Sequence, residues 1–226
     1  MTNQRIWAHY QNERQDAFAA SQPRLNFLIR QIAKRAKGKP HVLNIGVGDG
    51  YFDRQAQLAG WDIQSVDPDE QAISRLVTAG IRATTAGIEK LPQPTGSMDF
   101  VVVSEVLEHL DDQTLHAGLA EVARVLKPGG FMIGTVPHAE NLIEQQAICP
   151  HCTHVFHRWG HERSFTLATM RQTLSVHFTV EALGRTALVD LRGRGVRGFL
   201  KGAFRKALAK IGEPIAVANI WWVAGK

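Results

Sequence analysis

The chain has 226 residues, of which 44% are hydrophobic and 21% charged, and it carries a formal net charge of +5. This length supports one sizeable core with at most a small extra subdomain, and the composition is ordinary for a globular protein. No apolar stretch approaches the roughly 20 residues of a membrane span, and residues 1–5 lack the apolar region of a secretory signal. We therefore expect a single cytoplasmic domain covering residues 1–226.

Residues 1–36 predict a helical cap, because apolar side chains recur at helical intervals and Pro23 suits the first turn of a helix. In the simplest interpretation the cap only covers a sheet. In the alternative, Trp7, His9 and Tyr10 help to close a ligand site.

Strands and helices alternate along the next hundred residues. Five strands are predicted at 42–45, 63–66, 81–84, 98–104 and 131–136, with helices between them at 51–59, 70–78 and 112–126. The uninterrupted apolar run at 98–104 is typical of a strand buried on both faces of a parallel sheet. After a polar stretch, a helix is predicted at 167–175, a sixth strand at 178–183 and a last strand at 216–223. This alternation predicts a doubly wound α/β fold.

The first strand ends in a glycine loop in which Gly46, Gly48 and Gly50 stand at alternate positions before a helix. Glycine has no Cβ and tolerates positive φ, so the backbone can approach a ligand closely, and the helix beyond offers free N–H groups. About twenty residues later Asp67 ends the second strand, where a carboxylate can accept both hydroxyls of a ribose. A dinucleotide or S-adenosylmethionine would fit this arrangement.

Two further motifs distinguish these ligands. The fourth strand leads into Ser-Glu-Val-Leu-Glu-His-Leu at 104–110, and Leu-Lys-Pro-Gly-Gly at 126–130 precedes the fifth strand. In this order the motifs resemble the class I S-adenosylmethionine-dependent methyltransferases, especially the methyltransferase type 11 group, over residues 40–137. The resemblance implies a seven-stranded, mostly parallel, Rossmann-like sheet. A dinucleotide-binding loop would instead read G-x-G-x-x-G, whereas Asp49 here separates the last two glycines.

The resemblance also implies roles for residues: the glycines cradle the amino-acid end of the cofactor, Asp67 holds the ribose, Gly87 and Ile88 border the adenine, and residues 104–106 lie beneath the sulfonium. The cofactor-binding residues that it implies are Gly46, Gly48, Asp49, Gly50, Asp67, Pro68, Gly87, Ile88, Ser104, Glu105 and Val106. The chain departs from the family pattern at Asn44 and Gly87, where the family commonly has acidic residues.

Transfer of a methyl group from a sulfonium needs mainly alignment and a desolvated site, although a base helps with a hydroxyl or amine acceptor. His109 and His138 follow the fourth and fifth strands, at the edge where open α/β sheets bind their ligands. Both are candidate catalytic bases. Alternatively, His109 shapes its loop and His138 is a solvated loop histidine.

Residues 138–164 form a polar insert after the fifth strand that contains the chain's two cysteines, too few for a disulfide framework. Cys149, Cys152, His157 and His161 read C-x2-C-x4-H-x3-H, a pattern that suits structural zinc in a knuckle-like loop, with His151 or His154 as substitutes. A reduced thiol pair and a redox C-x-x-C are the alternatives. The stretch is similar to one in a subset of methyltransferases, often from polysaccharide or lipid modification.

Residues 185–211 form a basic segment with eight Lys or Arg against Asp190 alone, or +7, so the rest of the chain sums to −2. Apolar residues at helical intervals over 197–211 predict a helix that docks on the sheet. The same cations could contact anionic lipid at the inner face of a membrane, a phosphorylated acceptor or nucleic acid.

From these features we expect S-adenosylmethionine-dependent methyl transfer to a small-molecule, glycan or lipid-linked acceptor, at oxygen. A tRNA methyltransferase is the alternative within this class. A non-catalytic, zinc-stabilised binding module with the same fold is the alternative outside it.

Overall fold

The computed structural model describes residues 2–188, 200, 202–204 and 219–226. Its helices are α1 (Thr2–Glu13), α2 (Gln22–Ala33), α3 (Tyr51–Leu58), α4 (Glu70–Thr78), α5 (Asp112–Val125) and α6 (Leu167–Leu174). Its strands are β1 (His41–Ile45), β2 (Asp62–Asp67), β3 (Arg82–Thr85), β4 (Met98–Ser104), β5 (Leu126–Pro137), β6 (Gln146–Ile148), β7 (Val155–His157), β8 (Thr179–Thr186) and β9 (Asn219–Gly225). The predicted helix over 197–211 and the predicted start of the last strand at 216–218 fall largely or wholly outside the described residues.

Seven strands form one sheet in the order β3-β2-β1-β4-β5-β9-β8, and β6 pairs with β7 in a separate hairpin. Strands β1 to β5 are parallel, whereas β9 runs antiparallel to both of its neighbours. The predicted doubly wound, mostly parallel sheet is therefore confirmed. The strand order reverses between β1 and β4, so the carboxyl ends of these strands border the crevice in which such sheets bind ligands.

The core consists of two apolar layers, one on each face of the sheet. In β4, Val101 and Val103 join the layer that contains buried residues of α5 and α6, whereas Phe100 and Val102 join the layer formed with α2, α3 and α4. All four side chains are 3% exposed or less. This two-sided burial is the reason for the continuous apolar run of the strand.

The boundary that differs most from prediction is the start of β5. The Lys-Pro-Gly-Gly sequence predicts a stop between helix and strand, but the strand already begins at Leu126. The amide of Lys226 donates to the carbonyl of Gly130 over 3.0 Å, and Gly129 adopts φ 76°. Gly129 and Gly130 therefore bend the chain within β5, and β5 pairs with β4 both before and after this bend.

Helices occupy most of residues 2–33, with a 3₁₀ segment (Gln15–Ser21) between α1 and α2, and Pro23 lies in the first turn of α2. The insert after β5 contains the β6–β7 hairpin. No helix in the described part of the chain has the length and apolarity that a membrane-spanning segment needs.

Candidate functional site

A cavity of about 970 Å³ opens at the carboxyl ends of β1, β2 and β4, beneath the N-terminal helices. The predicted site residues that line it are Gly46, Gly48, Asp49, Asp67, Pro68, Gly87, Ile88, Ser104, Glu105, Val106 and His109. Gly50 borders a smaller neighbouring cavity instead. The sheet edge thus brings together residues that are up to 63 positions apart in the sequence.

Two glycines of the loop are required where they stand. Gly46 has φ 83°, and a Cβ there would lie 2.7 Å from Cγ2 of Val106. Gly48 has φ 54°, and a Cβ there would lie 3.1 Å from the ring of Phe18. Positive φ values and these close neighbours together exclude ordinary side chains, so the loop presents bare backbone to the cavity.

Asp67 is 4% exposed, and its carboxylate organises the loop beside it. Oδ2 accepts hydrogen bonds from the Val47 amide at 2.9 Å and from Nε2 of Gln11 at 3.0 Å, and Oδ1 accepts from the Asp69 amide at 2.9 Å. Burial raises the pKa of this carboxyl, although these hydrogen bonds oppose the shift. A carboxylate has about four lone-pair positions, so Asp67 keeps acceptor capacity toward the cavity.

The departure at Asn44 has a structural explanation. Nδ2 of Asn44 donates to Oδ1 of Asp53 over 2.9 Å, and the hydroxyl of Ser65 donates to the same oxygen over 2.5 Å. Asp53 is fully buried, and desolvation raises its pKa to about 6 despite these two donors. A carboxylate on α3 therefore lies beneath the glycine loop, and Asn44 complements it.

The acidic residue that the family commonly has at the position of Gly87 has a counterpart nearby in this chain. Glu89 lines the cavity, and its carboxylate folds back over Gly87 so closely that a Cβ at position 87 would clash with it. An acidic group is thus present beside the predicted adenine position, two residues further along the chain than the family pattern suggests.

The turn after β4 is held in a strained conformation. Glu105 has φ 55°, which is unusual for a residue other than glycine, asparagine or aspartate. Its carboxylate accepts hydrogen bonds from Nδ2 of Asn219 at 3.2 and 3.3 Å and lies 3.7 Å from Arg24. Arg24 also donates to the hydroxyl of Ser104 over 3.2 Å. Helix α2 and strand β9 therefore fix the backbone that borders the cavity.

His109 lines the cavity and contacts both the N-terminal cap and the insert. Its Nδ1 lies 3.2 Å from Nε1 of Trp7 and 3.1 Å from the carbonyl oxygen of Gly160. Burial, with the neighbouring His161, lowers the pKa of His109 to about 3, so the imidazole is neutral at pH 7. A group with this pKa is a weak general base at neutral pH.

His138 lies elsewhere. It pairs with Phe165 through an isolated parallel bridge and is not among the residues that line the cavity. Burial and the nearby Arg185 lower its pKa. The geometry therefore brings only one of the two predicted bases to the cavity.

The four predicted zinc ligands do not come together in the described part of the chain. Cys149 and Cys152 lie in the tip of the β6–β7 hairpin, whereas His157 pairs with Gln146 at its far end. Three residues of strand separate the two levels, or roughly 10 Å. His157 and His161 group with Glu140 instead of with the thiols. The spacing alone did not reveal that the intervening residues form a strand.

Several residues of this region could not be found from sequence motifs. Gln11 and Arg24 belong to the cap, and Trp7 lines the cavity as the alternative for residues 1–36 supposed. Tyr10 contacts Trp159 at a ring separation of 5.2 Å rather than lining the cavity. Nothing in the local sequence indicates which cap residues face the sheet edge.

Comparison with known proteins agrees with this geometry. Residues 43–134 match the family model described as a methyltransferase domain. A probable S-adenosylmethionine-dependent methyltransferase of Mycobacterium tuberculosis is 30% identical over 113 residues, 49% of this chain and 40% of the relative. A malonyl-[acyl-carrier protein] O-methyltransferase of Serratia marcescens is 31% identical over 125 residues, 52% of this chain and 48% of the relative. The chain thus matches less than half the length of these curated relatives.

Among solved structures, a Burkholderia thailandensis 1,6-didemethyltoxoflavin-N1-methyltransferase with bound S-adenosylhomocysteine aligns with a TM-score of 0.65 and 17% identity, covering 100% of this chain and 87% of the other. At this identity the likeness concerns the fold. The fold is the Rossmann-like fold of this class I S-adenosylmethionine-dependent methyltransferase structure, and the match of residues 43–134 to the methyltransferase domain model lies on its glycine loop and first five strands.

Proposed function

We propose that the chain binds S-adenosylmethionine in the cavity and transfers its methyl group to a small-molecule, glycan or lipid-linked acceptor, at oxygen. The observation that carries this proposal is the juxtaposition of the bare Gly46–Gly48 backbone with the buried Asp67 carboxylate at one end of the cavity. The free acceptor positions of Asp67 suit the two hydroxyls of a ribose, and the backbone leaves room for the amino-acid end of the cofactor.

The remaining walls support a methyl-transfer role. Glu89 and Ile88 border the side predicted for adenine, and Ser104 to Val106 border the side predicted for the sulfonium. Trp7 and His109 extend the cavity with aromatic surface, which excludes water from a reacting sulfonium. Because the methyl donor is already activated, alignment and exclusion of water account for most of the required chemistry.

Transfer to oxygen is supported by the malonyl-[acyl-carrier protein] O-methyltransferase among the relatives. The N1-methyltransferase among the solved structures shares the fold, so the fold alone does not select the acceptor atom. We expect the acceptor to enter beside His109 and the insert, because Glu162 of the insert also lines the cavity.

The basic segment supports a peripheral contact with anionic lipid for a lipid-linked acceptor. Leu200 and Phe204, four residues apart within it, are 59% and 63% exposed. Flotation with phosphatidylserine vesicles and with phosphatidylcholine vesicles tests this: the contact requires binding to the anionic vesicles alone, and loss of binding at high salt.

Calorimetric titration with S-adenosylmethionine tests the cofactor. We expect one binding site per chain, and we expect Asp67→Asn to weaken binding about 10- to 100-fold, since hydrogen bonds to a charged group contribute about 1.5–3 kcal/mol. Asp99→Asn is the matched control, because Asp99 pairs with Lys127 at the opposite end of β4. Absence of binding by the wild-type chain would exclude the proposed cofactor.

Transfer itself is tested with S-adenosylmethionine carrying a tritiated methyl group and fractions of small metabolites, glycans and lipids. Alkaline hydrolysis of the labelled product separates methyl esters from ethers and methylamines. Label that appears only in a nitrogen-linked product would contradict the O-methyl assignment.

A further inference from the structure

Two glutamates and three histidines gather beside the cavity, and methyl transfer uses none of them except His109 as a wall residue. They come from three segments: the turn after β4 (Glu108 and His109), the segment after β5 (Glu140) and the β7 end with its following turn (His157 and His161). Ligand atoms of Glu108, His109 and His161 all lie within 4.8 Å of one another, and so do those of Glu140, His157 and His161.

Glu108 is the most unusual member of this cluster. It is 1% exposed, and neither carboxylate oxygen has a hydrogen-bond partner within the described structure. Burial and the nearby charge of Glu105 raise the pKa of this carboxyl well above its usual range. Protonation alone does not solve the problem, because the new O–H would also need an acceptor. A buried carboxylate without a partner is costly, and a cation between its neighbours would satisfy it.

His109 has one ring nitrogen, Nε2, that is buried and has no hydrogen-bond partner among the described residues. Its other nitrogen, Nδ1, has two neighbours that favour opposite tautomers: Nε1–H of Trp7, 3.2 Å away, can only donate, whereas the carbonyl oxygen of Gly160, 3.1 Å away, can only accept. Binding of a cation through Nε2 requires the second tautomer, in which Nδ1–H donates to the Gly160 carbonyl and the Trp7 hydrogen bond is given up.

His161 and His157 both contact Glu140, but the proton lies on a different ring nitrogen in each. Nδ1 of His161 contacts Oε2 of Glu140, and a carboxylate there requires the proton on Nδ1, which leaves Nε2 able to bind a cation. Nδ1 of His157 accepts amide N–H groups from Trp159 at 3.3 Å and His161 at 3.1 Å, so its proton is on Nε2. That nitrogen lies 3.6 Å from Oε1 of Glu140. Because this nitrogen carries the proton, it does not bind the proposed cation; it has no hydrogen-bond partner among the described residues and makes only this longer contact with Glu140.

We propose that Glu108, His109 and His161 bind one divalent cation, with Zn²⁺ as the best-suited ion. Two neutral imidazoles and a carboxylate form a donor set that zinc accepts in proteins. Glu140 and the Gly160 carbonyl act behind His161 and His109, in the way that carboxylates and backbone carbonyls orient metal-binding histidines. The cysteines of the hairpin tip take no part.

Three protein ligands leave a coordination position open, which distinguishes this site from a closed structural zinc site. His109 itself lines the cavity, so a water molecule or an oxygen of a bound acceptor can fill that position. The site would also tie the insert to the turn after β4, since His161 belongs to one and Glu108 to the other.

Zinc titration of the chelator-stripped 226-residue chain, in competition with a chromophoric chelator, tests the proposal. We expect one equivalent of Zn²⁺. Glu108→Gln and His161→Asn should each raise the dissociation constant more than about 100-fold, and Glu140→Gln about 10- to 100-fold, the range seen for residues that orient a ligand. Cys149→Ser/Cys152→Ser and the exposed His151→Asn, as the histidine control, should bind zinc as the wild type does.

The proposal is overturned if the stripped protein binds no Zn²⁺, or if the double cysteine variant loses the metal while Glu108→Gln keeps it. A second measurement uses the wild type alone, in case the Glu108 variant does not fold. Co²⁺ bound by nitrogen and oxygen ligands lacks the intense near-ultraviolet charge-transfer absorption of cobalt thiolates. Such absorption in the Co²⁺-substituted wild type would place the metal on the cysteines and also overturn the proposal.

Discussion

Nε2 of Gln11 donates a 3.0 Å hydrogen bond to Oδ2 of Asp67, so the first helix reaches the carboxylate that the cofactor proposal assigns to the ribose. Nδ2 of the next residue, Asn12, lies 3.3 Å from both carboxylate oxygens of Asp69. Within residues 5–13 only Gln11 is buried. Polar contacts and partly buried aromatic rings, rather than a fully buried apolar core, therefore hold α1 over this end of the cavity, and such contacts can open at low cost.

The first prediction concerns Arg75, which connects α4 to α1. One of its nitrogens donates to the carbonyl of Gln11 over 2.9 Å and another to the side chain of Asn12. Arg75→Ala should loosen α1, because the loss of each hydrogen bond costs about 1 kcal/mol. We expect faster proteolysis within α1 and dissociation of S-adenosylmethionine accelerated about tenfold, measured by limited trypsin digestion and stopped flow.

The control for this change is Arg82→Ala, because Arg82 is exposed and pairs only with Asp62 among the described residues. Equal digestion and dissociation rates in the two variants would show that Arg75 does not hold the helix.

The cofactor end of the cavity could be predicted from the sequence because its parts are local. Gly46 and Gly48 directly follow a strand, and Asp67 ends the neighbouring strand, so each position follows from a strand boundary alone. The family commonly has an acidic residue in β1 where this chain has Asn44, and the sequence could not predict that Asp53 supplies a carboxylate there instead. Asp53 reaches Asn44 from α3, and only the packing of that helix against the sheet brings the two side chains together.

The far side of the cavity depends on contacts between distant segments, which no motif reports. Glu108 and His161 are 53 positions apart, and Glu140 belongs to a third segment. The C-x2-C-x4-H-x3-H spacing suggested one compact knuckle, yet the hairpin places the two thiols at its tip and His157 at its far end. Sequence spacing fixes proximity only where the intervening backbone conformation is known.

The second prediction separates backbone strain from crowding in the glycine loop. Gly46→Ala introduces a Cβ 2.7 Å from Cγ2 of Val106 at φ 83°, whereas Gly60→Ala introduces one at φ 76° with no atom within 4 Å. Both should lose about 1–2 kcal/mol for the left-handed backbone. Gly46→Ala should lose about 1–3 kcal/mol more and should also weaken cofactor binding, since Val106 lines the cavity.

Urea denaturation and calorimetry measure the two effects. The double variant Gly46→Ala/Val106→Ala should recover part of the extra loss by making room for the new methyl group. Equal destabilisation by Gly46→Ala and Gly60→Ala would mean that the loop moves away from Val106 without cost.

The third prediction concerns Arg24, which lines the cavity and holds Ser104 and Glu105 in place. Arg24→Ala removes a cation from the cavity wall and a hydrogen bond to the turn after β4. We expect S-adenosylmethionine to bind about tenfold more weakly, which corresponds to about 1.4 kcal/mol, the scale of one charge-assisted hydrogen bond. Arg30→Ala, an exposed position on the same helix, should leave the affinity unchanged. Equal affinities in the two variants would exclude a role for Arg24 in cofactor binding.

The last prediction is a pH dependence that originates at Asp53. Its pKa is raised from 3.8 to about 6 by burial, so the folded chain binds a proton here that the unfolded chain releases. Stability from this group is therefore greatest below about pH 4 and is lost as pH rises to about 6, with a limiting slope near −1.4 kcal/mol per pH unit. Asp53→Asn cannot titrate, so the wild-type free energy of unfolding should fall relative to the variant over that interval. Chemical denaturation at half-unit steps from pH 4 to pH 7.5 measures the difference in unfolding free energy between the wild type and Asp53→Asn. The contributions of all other titrating groups cancel in this difference. A constant difference across these steps would mean that Asp53 keeps the same proton affinity in the folded and unfolded chains.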